Sequence, residues 1–415
     1  MSFDIHEAIS PEMLDRLAEV TIKVGLNLQE GQDLVLTAPV MALPLVRRIA
    51  YYAYKAGAGV ITPLLSDEVL SLMRFESAHA TSFDCAPSWL YEGMAKAFAN
   101  GAARLAIVGD DPLLFLNQDL NKVARLNKAT SMAYQPALKQ ISKFAMNWSI
   151  VAYPTVGWAA AMFPDLPINK AIKKLADAIF AASRVTGENP VHAWKEHNAT
   201  LKQRSSWLNE QRFSALHFTG PGTDLTVGLA DEHEWHGGAS TAQNGVICNP
   251  NIPTEEVFTT PHAYKVEGCV RSTKPLSYQG ALIDNIEVRF EAGRIVDACA
   301  STGQQVLQQV LQSDEGACRL GEVALVPHSS PISKSGLLFY NTLFDENAAC
   351  HIALGQCYSK CFLSGASLTA EEIAARGGNK SVIHIDWMIG SSEINIDGIT
   401  QTGTRIPVFR QGEWA

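Results

Sequence analysis

The stretch Ser381-Val-Ile-His-Ile-Asp-Trp-Met-Ile-Gly390 decides how the carboxy-terminal half of this chain is interpreted. Its Val, Ile, Trp and Met residues predict a buried β-strand. Side chains alternate between the two faces of a strand, so His384 and Asp386 point to the same side. Imidazole and carboxylate groups are good ligands for zinc-like cations. Taken alone, however, the pair is better explained by a buried His–Asp hydrogen bond, so a metal hypothesis depends on other segments.

Length and composition indicate a folded globular protein of two or three domains. The chain has 415 residues, 47% of them hydrophobic, and a net charge of -9. This acidity argues against a nucleic-acid partner, which requires clustered Lys and Arg. No stretch is long and apolar enough to span a membrane, and the first residues lack the pattern of a signal peptide. Eight scattered cysteines without a C-x-x-C motif are typical of reduced thiols, so we expect a cytoplasmic protein.

The first part of the chain alternates helices and strands, which predicts a parallel sheet covered by helices. The predicted strands are residues 33–37, 59–65, 104–108 and 148–153, and the predicted helices include 41–55, 89–99 and 168–185. The pattern is Rossmann-like. Neither G-x-G-x-x-G nor a P-loop sequence follows any strand, however, so a nucleotide-dependent enzyme is disfavoured.

The alternating pattern of predicted helices and strands ends near Thr186-Gly-Glu-Asn-Pro190. Shorter strands, glycine turns and hairpins follow, including alternating residues around 286–300. The sequence therefore predicts an α/β protein with a Rossmann-like parallel α/β domain at residues 1–190. A carboxy-terminal α+β domain at residues 191–415 would carry the metal site.

Four segments of the second domain contain candidate metal ligands: residues 251–261, 321–327, 341–358 and 381–390. Each has an ordinary structural explanation. The pair Glu255-Glu256 suits a solvated loop, and Glu322 suits an exposed strand end. His351 is predicted on a helix that starts at Asp345-Glu-Asn347, with Tyr358 two turns later on the same face. A lone histidine there is more often a core residue than a ligand.

Taken together, the four segments favour a metal site over these ordinary structural explanations. They supply two imidazoles and four carboxylates: Glu256, Glu322, Glu346, His351, His384 and Asp386. Four converging carboxylates repel one another, and two divalent ions would approximately balance them. The ligand mixture suits Zn, Co or Mn in a hydrolytic site, where a water becomes acidic and a glutamate accepts its proton. The Tyr358 phenol could donate a hydrogen bond to the oxyanion.

These segments, read in order, resemble the metallo-aminopeptidase family that includes thermophilic aminopeptidase T and the bacterial aminopeptidases S. The matching text includes Pro253-Thr-Glu-Glu-Val-Phe-Thr259, Gly321-Glu322, the stretch from Asn341 to Tyr358, and the His384 strand. The ending Pro407-Val-Phe-Arg-Gln-Gly-Glu-Trp-Ala415 also looks like this family. Trp387 stands where the family commonly has phenylalanine.

The resemblance implies a dinuclear metal site and assigns its residues. The implied ligands are Glu256, Glu322, His351, His384 and Asp386, with Glu346 as a further ligand. The choice of Glu256 over Glu255 rests on the family's spacing. The resemblance also implies that Tyr358 is an active-site residue, and that homodimers enclose the sites in a cavity favouring short peptides.

The sequence therefore predicts a cytoplasmic, metal-dependent aminopeptidase with Glu322 and Tyr358 as catalytic residues. Glu322 is expected both to contact metal and to handle a proton. Two alternatives stay open: a dinuclear amidase or esterase acting on a small metabolite, and a non-catalytic peptide-binding protein of the same fold. Activity on non-peptide esters without activity on aminoacyl amides would favour the first alternative, and the absence of any turnover would favour the second.

Overall fold

The structure is a computed structural model that describes residues 8–278 and 281–415. It contains two compact units. The first contains residues up to Glu196 together with Ala239–Pro253, and the second contains His197–Gly238 and Thr254–Ala415. The return of residues 239–253 to the first unit had no signal in the sequence. The domain bounds 1–190 and 191–415 stay a prediction.

A four-stranded parallel sheet forms the centre of the first unit, as its alternating pattern predicts. The strands are β1 (Leu34–Pro39), β2 (Ile61–Ser66), β3 (Ala103–Val108) and β4 (Trp148–Ala152), in the order β2-β1-β3-β4. The predicted strands lie at these four places. The prediction of a mixed α/β protein is confirmed at this level.

Helices precede, connect and follow these strands, and the first of them begins at local sequence signals. Ser10 precedes the first helix and its hydroxyl accepts a hydrogen bond from the Met13 amide, while Pro11 occupies the first helical position. The helices are α1 (Pro11–Val20), α2 (Leu43–Lys55), α3 (Glu68–Ser77), α4 (Ser88–Ala99), α5 (Leu120–Ser142), α6 (Val156–Met162), α7 (Ile168–Ala182) and α8 (Pro190–Gln211). A π-helical turn, Thr21–Leu26, extends α1, and 3₁₀ turns lie at Val40–Ala42 and Ala80–Asp84.

Antiparallel sheets dominate the second unit. Strands β5 (Ala215–Gly220), β6 (Thr223–Leu229) and β7 (His236–Gly237) precede the pair β8 (Ser240–Thr241) and β9 (Ile247–Cys248), which belongs to the first unit. The next strands are β10 (Val257–Thr259), β11 (Pro261–Arg271), β12 (Leu276–Tyr278), β13 (Ala281–Ile283), β14 (Glu287–Glu291) and β15 (Arg294–Cys299). The last are β16 (Leu320–Leu325), β17 (His351–Gly355), β18 (His384–Met388), β19 (Asn395–Ile399), β20 (Arg405–Arg410) and β21 (Glu413–Trp414).

Helices and turns in the second unit are short. The α-helices are α9 (Gln304–Leu311), α10 (Pro331–Ser335), α11 (Thr342–Asp345) and α12 (Ala370–Ala375). The 3₁₀ turns are Glu315–Cys318, Glu346–Ala348, Ser359–Cys361 and Gly365–Ser367. The hairpin formed by β14 and β15 confirms the alternation noted around residues 286–300.

Two of the antiparallel sheets organise this unit. One has eight strands in the order β15-β14-β11-β6-β5-β19-β20-β21, and the other has five in the order β18-β17-β16-β10-β7. Alternate residues of the five-stranded sheet enter the main apolar core: Val257, Val323, Leu325, Ile352, Leu354, Ile385 and Trp387. Burial of this face fixes the register, because a slip of one residue would turn every side chain over. Leu320 also lies in this core, and the residues that alternate with these core positions lie on the opposite face.

A β-bulge at Gly321 sets the direction of Glu322. Leu320 pairs with Leu354, whereas Glu322 pairs with Ala353, so Gly321 is the extra residue between them. Without the bulge, Leu320 and Glu322 would lie on the same face of the strand. A Cβ atom on Gly321 would lie 2.4 Å from the carbonyl oxygens of Gly355 and Gln356. Only glycine therefore fits here.

A helix that crosses a membrane must be both long and apolar. No helix in the described residues meets both requirements.

Substitution Gly321→Ala is expected to lower the free energy of unfolding by about 3 kcal/mol, because the backbone must move away from two carbonyl oxygens. A control in the same unit is Gly403→Ala, which has φ +81° and open space around its Cβ position. It should cost about 1 kcal/mol through backbone strain alone. Urea unfolding of the two variants measures the difference, and equal losses would contradict the packing argument.

Candidate metal centre

The candidate ligands lie on the face of the five-stranded sheet opposite the apolar core. Glu322 is on β16, His351 on β17, and His384 and Asp386 are on β18. Glu256 directly precedes β10. Neighbouring strands thus deliver side chains from four distant parts of the sequence to one place.

The strand register explains the spacing of these side chains. Glu322 pairs with Ala353, and Ala353 pairs with Asp386, so a methyl group separates two carboxylates. In the next row, Ala324 pairs with both Phe258 and His351. Directly paired residues of antiparallel strands point to the same side. The two alanines leave space between the ligands that larger side chains would fill.

Two groups of possible ligands share Glu322. One contains Glu256, Glu322 and His351, and the other contains Glu322, His384 and Asp386. Within each group, one ligand atom of every residue lies within 4.8 Å of the others. The Glu322 carboxylate turns Oε1 toward His351 Nε2, at 3.7 Å, and Oε2 toward His384 Nε2, at 3.5 Å. Glu322 therefore lies between the two histidines and is shared by both groups.

Both imidazoles have the orientation that cation binding requires. Nδ1 of His351 lies 3.1 Å from the carbonyl oxygen of Ala349, and Nδ1 of His384 lies 2.7 Å from that of Gln356. A carbonyl oxygen only accepts hydrogen bonds, so each Nδ1 carries a proton. In the neutral ring, Nε2 then directs its lone pair at the carboxylates.

The contacts of these Nε2 atoms test whether a cation fits. Nε2 of His351 lies 3.2 Å from Glu256 Oε2 yet has no well-aligned hydrogen bond, although the atom is buried. Nε2 of His384 is 3.4 Å from Asp386 Oδ1. A lone pair facing carboxylates is unfavourable unless a proton or a cation lies between them. The donor set therefore fits divalent cations with nitrogen and oxygen ligands.

Glu346 and Tyr358 lie at the margin of the two ligand groups. The charge on Glu346 interacts with Glu256, Asp386 and Glu322, but Glu346 belongs to neither group. The Tyr358 ring is 4.7 Å from the His384 ring. The structure thus brings together all the residues named from the sequence, five of them as potential ligands in the two groups.

Comparison with known proteins agrees with this geometry. The pattern of the family described as thermophilic metalloprotease (M29) matches residues 10–414. The chain belongs to the M29 metalloprotease family. Aminopeptidase T of Thermus aquaticus is 51% identical over 403 residues, which cover 97% of this chain and 98% of that protein. Aminopeptidase AmpS of Bacillus subtilis (strain 168) is 41% identical over 404 residues, covering 97% and 98%.

A solved structure of wild-type AmpT from Thermus thermophilus is similar over the same extent. The TM-score is 0.92 at 49% identity, and the match covers 97% of this chain and 99% of that one. The resemblance inferred from the sequence is therefore confirmed. This M29 protein is a peptide hydrolase of a metalloprotease family.

The predicted helix carrying His351 is wrong. Residues His351–Gly355 of this M29 protein form β17, which pairs with β16 and β18, and Tyr358 follows in a connecting segment. The predicted helix start at Asp345-Glu-Asn347 is also wrong. Helix α11 begins after Asn341, whose side chain caps the Leu343 amide, and it ends at Asp345. Hydrogen bonds to two neighbouring strands override any local helical preference of this run.

Two ordinary explanations for the acidic residues are also wrong. Glu255 and Glu256 are 4% and 7% exposed, so they do not form a solvated loop. Glu322 is 4% exposed and lies within a strand that is buried throughout, so it does not mark an exposed strand end. Buried carboxylates require partners, because an isolated buried charge is strongly unfavourable. The contact between His384 and Asp386 is present, but Nε2 of His384 also faces the Glu322 carboxylate.

Burial and mutual charge shift the pKa values of the acidic groups. Burial raises the pKa of Glu322; the His351 contact opposes that shift, and Asp386 and Glu256 add to it. Burial raises the pKa of Glu346 well above its ordinary value, and Glu256 and Asp386 raise it further. Burial also acts to raise the pKa of Asp386, but the charge and hydrogen bond of His384 outweigh it, so the net shift is downward.

The pKa shifts of the two histidines and of Tyr358 are consistent with an excess of negative charge around them. Burial alone would lower the pKa of His351, yet Glu256 and Glu322 outweigh it and the net shift is upward. Asp386 similarly outweighs burial and raises the pKa of His384 to about 9. Burial and then Glu322 raise the pKa of Tyr358, although 42% of this residue is exposed. The phenol therefore stays protonated near neutral pH and is able to donate a hydrogen bond.

Sequence reasoning missed the residues that shape the space around the ligands. Ala353 separates Glu322 from Asp386. The bulge at Gly321 places the Glu322 side chain on the same face as Ala353 and Asp386. Phe258, two residues after Glu256, packs with Ala324 and Cys361. Alternation within His351-Ile-Ala-Leu-Gly355 was the available signal, because it places His351 and Ala353 on one side of a strand.

Substitution Ala353→Val is expected to weaken zinc binding by about 10- to 100-fold, the range seen when groups around a metal site are changed. The added methyl groups would occupy the space between Glu322 and Asp386. Ile352→Val is the matched control, because the neighbouring side chain packs into the core on the other face. Titration of metal-free protein with zinc, monitored by calorimetry, measures both affinities. An unchanged zinc affinity in the Ala353 variant would refute the claim that the small side chain of Ala353 leaves necessary space between Glu322 and Asp386.

Proposed function

We propose that this protein is a metal-dependent aminopeptidase with two divalent ions, held by Glu256, Glu322, His351, His384 and Asp386. The observation that carries the proposal is the position of Glu322, whose two oxygens face two histidines in two ligand groups. The aminopeptidase names of relatives 41–51% identical over 97% of the chain support the reaction class. Glu346 remains a predicted sixth ligand.

The charge of the cluster favours two ions over one. Glu256, Glu322, Glu346 and Asp386 supply up to four negative charges, and both histidines are neutral when Nε2 binds a cation. One divalent ion would leave about two negative charges uncompensated in buried surroundings, whereas two ions balance them. Nitrogen and oxygen ligands suit Zn, Co or Mn.

The protein's own groups account for the handling of protons and charge. Divalent ions held by these residues would act as Lewis acids and lower the pKa of water, so that it can lose a proton near neutral pH and become a nucleophile for a peptide carbonyl. Glu322 is our candidate for accepting the proton of that water, because it is central to both ligand groups. The Tyr358 hydroxyl would donate a hydrogen bond to the carbonyl oxygen as negative charge develops there. Acidic groups near the metals would bind the ammonium group of a peptide's amino terminus.

Location and assembly are extensions of this proposal. We infer a cytoplasmic protein from the cysteine usage, because eight scattered cysteines without a C-x-x-C motif are typical of reduced thiols. We infer a homodimer from the family resemblance. Short peptides would be the substrates, because the resemblance implies an enclosed site.

Removal of metal is expected to abolish release of p-nitroaniline from aminoacyl-p-nitroanilides, and zinc, cobalt or manganese should restore it. The protein as purified, after chelation and after resupply of each metal is assayed on a panel of aminoacyl groups. An amino-terminally acetylated substrate is the control and should not be cleaved. Metal binding without any turnover would favour the peptide-binding alternative. Cleavage confined to small esters or amides would favour the metabolite hydrolase.

Substitution Tyr358→Phe is expected to lower kcat by about 10²–10³-fold with metal content unchanged, because one hydrogen bond to the developing oxyanion is lost. Tyr51→Phe, at a tyrosine that is 61% exposed in the first unit, is the control and should retain full activity. Steady-state kinetics and metal analysis of both variants provide the comparison. A Tyr358 variant with the same kcat as the unmodified protein would remove this residue from the mechanism.

A further inference from the structure

Lys360 stands beside the candidate metal centre and has no role in metal binding. Its Nζ atom lies 4.6 Å from the centre of the Phe258 ring and 5.8 Å from that of the Tyr358 ring. These distances are typical of an ammonium group held over aromatic faces. The two rings are 6.3 Å apart, so the ammonium group stands over an aromatic wall formed by both.

This aromatic wall borders the space where a substrate would react. Phe258 lies two residues beyond Glu256, and alternation along the chain places both on the same side. The Tyr358 ring is 4.7 Å from the His384 ring. The contacts through Tyr358 therefore place the Lys360 ammonium within about three residues of extended peptide from the His384 imidazole.

The charge of Lys360 is not neutralised within the part of the chain that the structure describes. Other lysines pair with carboxylates, such as Lys173 with Asp177 at 2.7 Å, but no described carboxylate forms an ion pair with Lys360. Lys360 is also exposed, so a ligand can reach it. The ammonium group is therefore available to an anion that the protein itself does not supply.

His236 forms a further part of this wall and contributes no competing charge. Its ring is 6.4 Å from that of Phe258. Burial, and then the charge of Lys360, lower the pKa of His236 to about 4, so it is neutral near pH 7. Lys360, and more weakly Lys202, are the cations that act on His236, and both favour an anion at this wall.

The chemistry of a peptide identifies the anion. Every substrate of an aminopeptidase has an ammonium group at its amino end, but only a short one has its terminal carboxylate within a few residues of the bond that is cleaved. In a longer peptide, neutral amides occupy that position. A cation at the distance of Lys360 thus distinguishes peptides by length and by their terminal group.

We propose that Lys360 binds the terminal carboxylate of dipeptides and tripeptides and so makes them the preferred substrates. The proposal rests on the aminopeptidase function proposed above and specifies its substrate class. Lys360 is a specificity-determining residue in this account. It takes no part in the chemical step.

The test compares kcat/KM for Leu-Gly-Gly and for the same tripeptide with a carboxy-terminal amide. The unmodified protein should prefer the free acid by about tenfold or more, since hydrogen bonds to charged groups are stronger than neutral ones. Lys360→Gln should reduce this preference to near unity. Lys360→Arg should retain most of it, because the positive charge remains. Lys334→Gln, at another exposed lysine of the same unit, should leave it unchanged.

Leucyl-p-nitroanilide separates this proposal from the proposed function. It has no carboxylate, so Lys360→Gln should cleave it within about twofold of the unmodified rate. Equal use of acid and amide by the unmodified protein would overturn the role of Lys360, as would an unchanged preference in Lys360→Gln. Failure to cleave any of the three substrates with metal bound would instead overturn the aminopeptidase function on which the role depends.

Discussion

Repulsion among four carboxylates on one side of a sheet is the constraint on which the rest of this site depends. Glu256 and Glu322 are almost fully buried, and each is close to a histidine. The marginal stability of a folded protein cannot support several uncompensated buried charges. Burial is the largest cause of the upward pKa shifts of Glu322 and Glu346, and neighbouring carboxylates add to them. The carboxylates also raise the pKa values of His351 and His384 against the effect of burial. Divalent cations relieve this repulsion without protons.

The sheet can hold these carboxylates close together because its other face packs into the apolar core. Val323, Ile352 and Trp387 pack into the core of the second unit, and that packing fixes the strands in register. The side chains between them are then held on the opposite face without adjustable loops. Such rigid support is what a metal site requires, because ligand positions tolerate only small errors. The core thereby positions the ligands.

The residue types of the site could be predicted from the sequence, whereas the geometry that unites them could not. The His384 strand followed from its alternation, whereas the two-metal site inferred from the charge balance of imidazoles and carboxylates stays a prediction. The run His351-Ile-Ala-Leu-Gly355 is too short for periodicity to distinguish strand from helix, and pairing with two other strands decides its form. The bulge at Gly321 depends on carbonyl groups more than 30 residues later in the chain, which no local pattern reveals. The return of residues 239–253 to the first unit is non-local in the same way.

Most of the candidate ligands lie on strands, whereas the residues proposed to contact the substrate lie in a connecting segment. The substrate preference can therefore vary while the ligands stay the same. His351, fully buried on its strand, has little freedom to change. Tyr358 is 42% exposed, and Lys360 lies in the short 3₁₀ turn that follows. Side chains in such a turn can be exchanged at little cost to the sheet, because they contribute little to its core. Selectivity for the end of a peptide can therefore change independently of the metal centre, provided that the aromatic wall remains in place.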